Sequence, residues 1–207
     1  MRRIQRYDLL SLGYDVVTGP VHRQHRIDAV ELLQLRAGQT VLDVPCGTGT
    51  NFQFLNLGVG RTGQIVGCDY SPGMLARACA KVEKAGWDHV KLIETDARLI
   101  TRDLLGTTKI DAVICMLGMS VMPDWELVFE RTYDLLEPGG RYVMLDLFLD
   151  GKRTTRFADA YYRVVVNADS TRRFWEPLEA CVPDFEAHEE PCVGGVVLTV
   201  AGTKPID

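Results

Sequence analysis

Short apolar runs alternate along this chain with longer stretches whose apolar positions recur every three or four residues, and glycine, proline or aspartate separates them. That rhythm predicts strands near 40–44, 64–69, 90–94, 110–116 and 140–147. Helices are predicted near 21–36, 50–57, 72–85, 124–137 and 154–180. Ser71-Pro72 supplies an N-cap and a first-turn proline for the third helix, and Glu137-Pro138-Gly139-Gly140 ends the fourth. Two closing strands are expected near 184–189 and 195–203, with Gly194-Gly195 marking a hairpin between them. Strands and helices in alternation predict an α/β fold built on a doubly wound, mostly parallel sheet.

One strand carries candidate chemistry. From Thr40 to Phe52 an apolar run, Val41, Leu42 and Val44, leads through Asp43 into a turn containing Gly47 and Gly49. Such a turn lets the backbone bend sharply and approach a ligand closely. Asp69 follows Gly49 by 20 residues at the end of the next apolar run, the spacing at which a carboxylate meets ribose hydroxyls. Phe52 stands where the dinucleotide fingerprint has its third glycine, which argues against a pyrophosphate. Asp43, Asp69 and Asp96 at three strand ends would also repel phosphates. They suit a cationic nucleoside, and S-adenosylmethionine, with its ammonium and sulfonium, is one.

Composition narrows the classes. With 207 residues and 46% hydrophobic content, the chain has material for one domain with a full core. A net charge of −5 argues against a nucleic-acid partner. No apolar segment approaches the ~20 residues of a spanning helix, and the N-terminal residues lack a signal-peptide core, so a cytoplasmic location is expected. Cys46, Cys68, Cys79, Cys115, Cys181 and Cys192 show no metal-ligand spacing and read as reduced thiols; no metal is expected.

The stretches Val41–Gly49, Gly67–Met74, Glu94–Ala97, Asp111–Met116 and Leu136–Leu145 together resemble a class I S-adenosylmethionine-dependent methyltransferase of the ubiquinone/menaquinone and phospholipid methyltransferase type. The resemblance runs from Tyr7 to Lys204. One departure is Pro45, which stands where many relatives have glycine and offers no N–H to a ligand. The family fold implied is Rossmann-like, with a mostly parallel seven-stranded sheet, helices on both faces and a C-terminal antiparallel strand. The resemblance also implies a single domain over 1–207, with 1–36 as a helical lid and 149–180 as a variable substrate-side segment.

For the cofactor, the resemblance places Gly47 and Gly49 around the methionine part, Asp43 near its ammonium and Asp69 on the ribose. Met74 would pack on the adenine, while Asp96 and the backbone of Ala97 would read the base. Asn51, Tyr70 and Cys115 belong to the same cofactor-side set, and Tyr14 is the leading lid contact. Each acid has an alternative as a turn or cap residue, Met74 as core, and Tyr14 as an aromatic anchor.

Acceptor-side candidates are Tyr7, His25, Met116, Met119, Trp125 and Asp146. His22 and His25 could supply a general base or lie exposed on a helix. The methionine-rich stretch Met116–Met122 would form an adaptable apolar wall or pack the core. Asp146 could polarise an acceptor or hold a loop. The expected activity is methyl transfer to a small, apolar or lipid-like acceptor. Transfer of the 3-amino-3-carboxypropyl group, or cofactor binding without catalysis, are the alternatives. Basic residues at both variable regions, Arg2, Arg3, Arg23 and Arg153 among them, leave peripheral membrane contact open against an ordinary mixed surface. Oligomeric state has no signature in the sequence.

Overall fold

The computed structural model describes residues 22–107, 109–149, 168–192 and 195–206. Seven strands form one sheet: β1 (Thr40–Asp43), β2 (Gln64–Asp69), β3 (Val90–Glu94), β4 (Ala112–Met116), β5 (Arg141–Phe148), β6 (Glu186–Cys192) and β7 (Gly195–Thr203). Their order is β3-β2-β1-β4-β5-β7-β6. The first five run parallel, β7 is antiparallel to β5, and β6 is antiparallel to β7. The helices are α1 (Arg23–Leu32), α2 (Phe52–Val59), α3 (Pro72–Ala85), α4 (Arg102–Leu105), α5 (Trp125–Leu135) and α6 (Glu176–Cys181). This is the Rossmann-like class I architecture, including the antiparallel C-terminal strand.

Side-chain alternation explains the layering. Leu42, Val66, Val113 and Met144 join one buried cluster, while their neighbours Val41, Ile65, Ile114 and Val143 join another. Successive strand side chains point to opposite faces, so both faces of the central strands are sealed. The edge strands differ: β3 is only partly buried and β6 is mostly exposed. Strand β6 reads Glu-Ala-His-Glu-Glu-Pro-Cys, and charge plus proline discourages pairing at a free edge.

Local punctuation sets α3. Ser71 Oγ accepts a hydrogen bond from the Met74 N–H at 3.2 Å, Pro72 begins the helix, and Gly86 closes it with φ +65°. Farther along, the chain departs from expectation. Residues 168–175 are turns and irregular backbone, and α6 is confined to six residues beginning beside Pro177. The 168–172 stretch is held instead by tertiary bonds: Asp169 N–H donates to Ser120 O, and Arg172 Nη1 donates to Met119 O and Met122 O, each at 2.7 Å. Helix periodicity there is overridden by these partners.

Candidate active site

The strand order reverses between β1 and β4, and a cavity of about 270 Å³ opens at the carboxyl ends of the strands beside that point. Among its lining residues are Gly47, Asn51, Asp69, Tyr70, Met74 and Asp96. Ala97 and Met116 line it too. Eight of the positions expected from the sequence are therefore brought to one cavity.

The β1–α2 turn depends on Phe52, whose fully buried ring sits under it. A Cβ on Gly49 would lie 2.6 Å from that ring, and one on Gly67 would lie 2.7 Å from it. Gly49 also has φ +73°, so the aromatic in place of a third glycine is accommodated by glycine on both sides. The next strand end fixes the turn: Asp69 Oδ2 accepts the Gly47 N–H at 2.8 Å, and Oδ1 accepts the Ser71 N–H at 2.9 Å. Asp69 thereby ties two loops together while standing at the cavity edge.

Asp43 occupies a different place. It pairs in register with Gly67, two residues short of Asp69, which sets it about 7 Å deeper along the strands. It is fully buried and does not line the cavity. Asn51 Nδ2 donates to both its oxygens at 3.1 Å, and Asn51 Oδ1 accepts from Arg26 Nη1 at 2.6 Å. Burial pushes the Asp43 carboxyl up to about 7; Asn51 and Arg26 pull it down, and the Asp69 charge adds to the rise. An amide thus separates a buried acid from a buried guanidinium.

Arg26 is the main cavity residue that was not among the candidate binding positions. It is only 6% exposed, lines the cavity, approaches Met116 Sδ at 3.8 Å, and its Nε has no hydrogen-bond partner among the described residues. Helix α1 brings it there on the face that buries Ala29 and Val30, and Arg141 Nε pins that helix by donating to Leu32 O at 2.8 Å. A charged residue four positions before Val30 on an apolar helix stripe was the available signal. Arg98 and Thr48 also line the cavity without having been singled out, as does Ser71, expected only as a helix cap.

At the far side, Asp96 caps the short turn Ala97–Leu99 through the Arg98 N–H, and Arg98 Nη2 reaches Asp96 Oδ2 at 2.6 Å. These bonds from Arg98 hold the Asp96 carboxyl below its usual range, partly offset by burial. Met116, Leu117, Val121, Met122 and Pro123 make the remaining wall apolar. The methionines divide: Met116 and Met122 face the cavity, whereas Met119 is buried in the core.

The other expected positions fall away from the cavity. Cys115 is buried within β4, its thiol pushed well up by burial, and Trp125 packs against the core at the start of α5. Asp146 is 1% exposed; its carboxylate accepts the Ser120 N–H and Oγ–H, each at 2.8 Å, and the Leu147 N–H. It holds the loop behind the apolar wall, and burial pushes it up to about 6. His25 Nε2 lies 3.1 Å from Glu190 on β6. Tyr7 and Tyr14 lie outside the described residues, as does most of the 149–180 segment.

A Rossmann-like sheet in this order, with a carboxylate closing the glycine turn and another beyond β3, defines the class I methyltransferase architecture. Residues 41–140 match the family model described as a methyltransferase domain, and this match together with the fold supports a class I S-adenosylmethionine-dependent methyltransferase. It is 29% identical over 141 residues to a demethylmenaquinone methyltransferase of Oceanobacillus iheyensis, covering 68% of this chain and 57% of that protein. The chain thus spans little more than half of that relative's length. A solved S-adenosylmethionine-dependent methyltransferase from Aquifex aeolicus superposes with a TM-score of 0.62 at 18% identity, covering 86% of this chain and 89% of that one. The [4+2]-cyclase SpnF superposes with a TM-score of 0.75 at 16% identity, covering 99% and 95%. These structural likenesses speak for the fold alone.

Proposed function

We propose that this protein transfers a methyl group from S-adenosylmethionine to a small apolar acceptor of the quinol type. The observation that carries the reading is one cavity lined by Arg26, Asp69 and Asp96 together with an apolar wall of Met116, Val121 and Met122. The buried guanidinium with an unpartnered Nε suits a carboxylate, the fit expected for an amino-acid moiety. S-adenosylmethionine, when bound, supplies a methyl group already activated by positive sulfur.

The chain's own groups bind and orient. Arg26 takes the carboxylate, Asp69 accepts from ribose hydroxyls, Asp96 accepts from the exocyclic amine, and Met74 with Ala97 packs against the base. Asp43 acts one layer back, through Asn51, on the charge balance around Arg26. The apolar wall excludes water from the acceptor, so positioning and desolvation carry much of the rate. The names of the sequence relatives support a quinone-like acceptor. Residues 1–36 as lid, 149–180 as acceptor-side segment and a cytoplasmic setting with peripheral access to a membrane-dissolved acceptor belong to the same reading. No helix among the described residues is long and apolar enough to cross a membrane.

The test is incubation of purified protein with S-adenosylmethionine and a chemically reduced demethylnaphthoquinol, with both products quantified by mass spectrometry. S-adenosylhomocysteine together with a methylated quinol is the expected result. Methylthioadenosine would redirect the reading to aminocarboxypropyl transfer, and binding without turnover across quinol, lipid and amine acceptors would favour a non-catalytic role.

A further inference from the structure

Arg98 lines the cavity and makes bonds that the binding roles above do not use. Its Nε and Nη2 hold the two oxygens of Asp96, at 3.0 Å to Oδ1 and 2.6 Å to Oδ2, while its backbone N–H also donates to Oδ1. The other arm of the guanidinium, Nη1, reaches Asp124 Oδ2 at 2.8 Å. Asp96 follows β3, whereas Asp124 precedes α5 with φ +49° and continues directly from the apolar wall Val121–Pro123. One planar side chain therefore bridges the base-reading loop and the acceptor-side loop, and it lines the cavity itself.

We propose that Arg98 is a positioning residue for base recognition, holding Asp96 as an acceptor-only group for a 6-aminopurine, and that its arm to Asp124 forms a strap across the cofactor entrance. The inference rests on the cofactor reading above. A carboxylate can accept from an exocyclic amine but faces a 6-oxo group with lone pairs against lone pairs. Protonation, or rotation of Asp96, would relieve that clash, and the fork of Arg98 opposes both. It favours the ionised form of Asp96 and, with the Arg98 backbone N–H, occupies both carboxylate oxygens. Lysine, a point charge without a fork, cannot do the same. The strap is a separate consequence: a nucleoside entering or leaving passes between two loops that Arg98 joins.

The experiment measures binding of S-adenosylhomocysteine and S-inosylhomocysteine to wild type, Arg98→Met and Asp124→Asn by calorimetry, with dissociation rates from stopped-flow competition. Wild type is expected to prefer the adenosyl ligand by about tenfold or more, since a carboxylate set to accept from an amine meets no donor on a 6-oxo group. In Arg98→Met that preference is expected to fall to within about threefold of unity. Asp124→Asn is expected to keep the preference but release S-adenosylhomocysteine roughly two- to fivefold faster at low salt, a difference that vanishes by about 0.5 M salt. A merely structural role for Arg98 would weaken both ligands alike and leave their ratio unchanged. An unchanged ratio in Arg98→Met overturns the positioning role, and a wild-type rate in Asp124→Asn overturns the strap. Wild-type protein that binds neither ligand would overturn the cofactor reading itself. Arg98→Lys replaces the methionine variant if that one does not fold, with the same expected loss of preference.

Discussion

Asp69 and Asp146 are bonded almost alike and do different work. Each stands near the carboxyl end of a parallel strand, and each carboxylate accepts two backbone amides, Gly47 and Ser71 for the first, Ser120 and Leu147 for the second. Asp69 lines the cavity; Asp146 is sealed behind the 117–122 loop, with Ser120 Oγ as a further donor. The contrast separates the two halves of the site. On the β1–β2–β3 side, loops are tied by a carboxylate that also lines the cavity, and the surface is polar. On the β4–β5 side the carboxylate is spent on holding the loop, and the loop presents apolar side chains. The hydrogen-bond patterns of the two acids are nearly the same; what separates them is that Asp69 lines the cavity and Asp146 does not.

Substitution breaks the comparison most directly. Asp69→Ala is expected to weaken S-adenosylhomocysteine binding by about 100-fold, because charge-assisted bonds to the ligand and to the Gly47 loop are lost together. Asp146→Ala should change that affinity by less than about threefold while costing about 2–4 kcal/mol in urea unfolding, since it orphans the buried Ser120 N–H. Equal losses of affinity in the two variants would erase the distinction between the halves.

The pH dependence of stability sharpens it. The Asp43 carboxyl is raised to about 7 and that of Asp146 to about 6, so the folded protein binds more protons than the unfolded chain above the ordinary carboxylate value. Each contributes stability that is present below its unfolded pKa of 3.8 and is lost as pH rises through the folded value. His22, lowered to about 4 chiefly by burial, works in the opposite sense, losing stability as pH falls from 6.5 towards 4. The difference between wild type and Asp43→Asn isolates the first effect. Wild type should lose stability relative to the variant between pH 4 and 7, by at most about 1.4 kcal/mol per pH unit, and the difference should level off above that range. Urea titrations across this range that show a constant difference would remove Asp43 as a buried titrating group.

The smallest effect is at the α3 N-cap. Ser71→Ala is expected to cost about 1 kcal/mol in chemical denaturation through loss of the bond to the Met74 N–H. Because Ser71 and Met74 both line the cavity, a modest fall in cofactor affinity should accompany it.

Much of the fold was legible along the chain. The expected strands 64–69 and 90–94 and the helix 72–85 coincide with β2, β3 and α3. Their boundaries are set by neighbours in sequence, such as Ser71-Pro72 before α3 and Gly86 after it. The expected helix over 154–180 reduces, among the described residues, to α6, because 168–172 is held by bonds to Met119, Ser120 and Met122, about 50 positions away. Within the site, glycine turns and post-strand acids announced Gly47, Asp69 and Asp96. The depth of Asp43 and the sealing of Asp146 carried no such local mark, and Arg26 carried only its place on the apolar stripe of α1.

The sequence by itself determined the alternation of strands and helices, the bend at Gly47 and Gly49, and the acids that end β2 and follow β3, because each depends on residues a few positions apart. Tertiary structure decided which of those groups meet. Arg26 is 25 residues from Asn51 and 90 from Met116, and Arg98 is 26 from Asp124. Strand order and register bring such groups together, and a two-residue offset between Asp43 and Asp69 along paired strands puts one acid under the cavity floor and the other at its edge. Register is fixed by burying both faces of the central strands at once, a condition on the whole sheet that no single segment encodes.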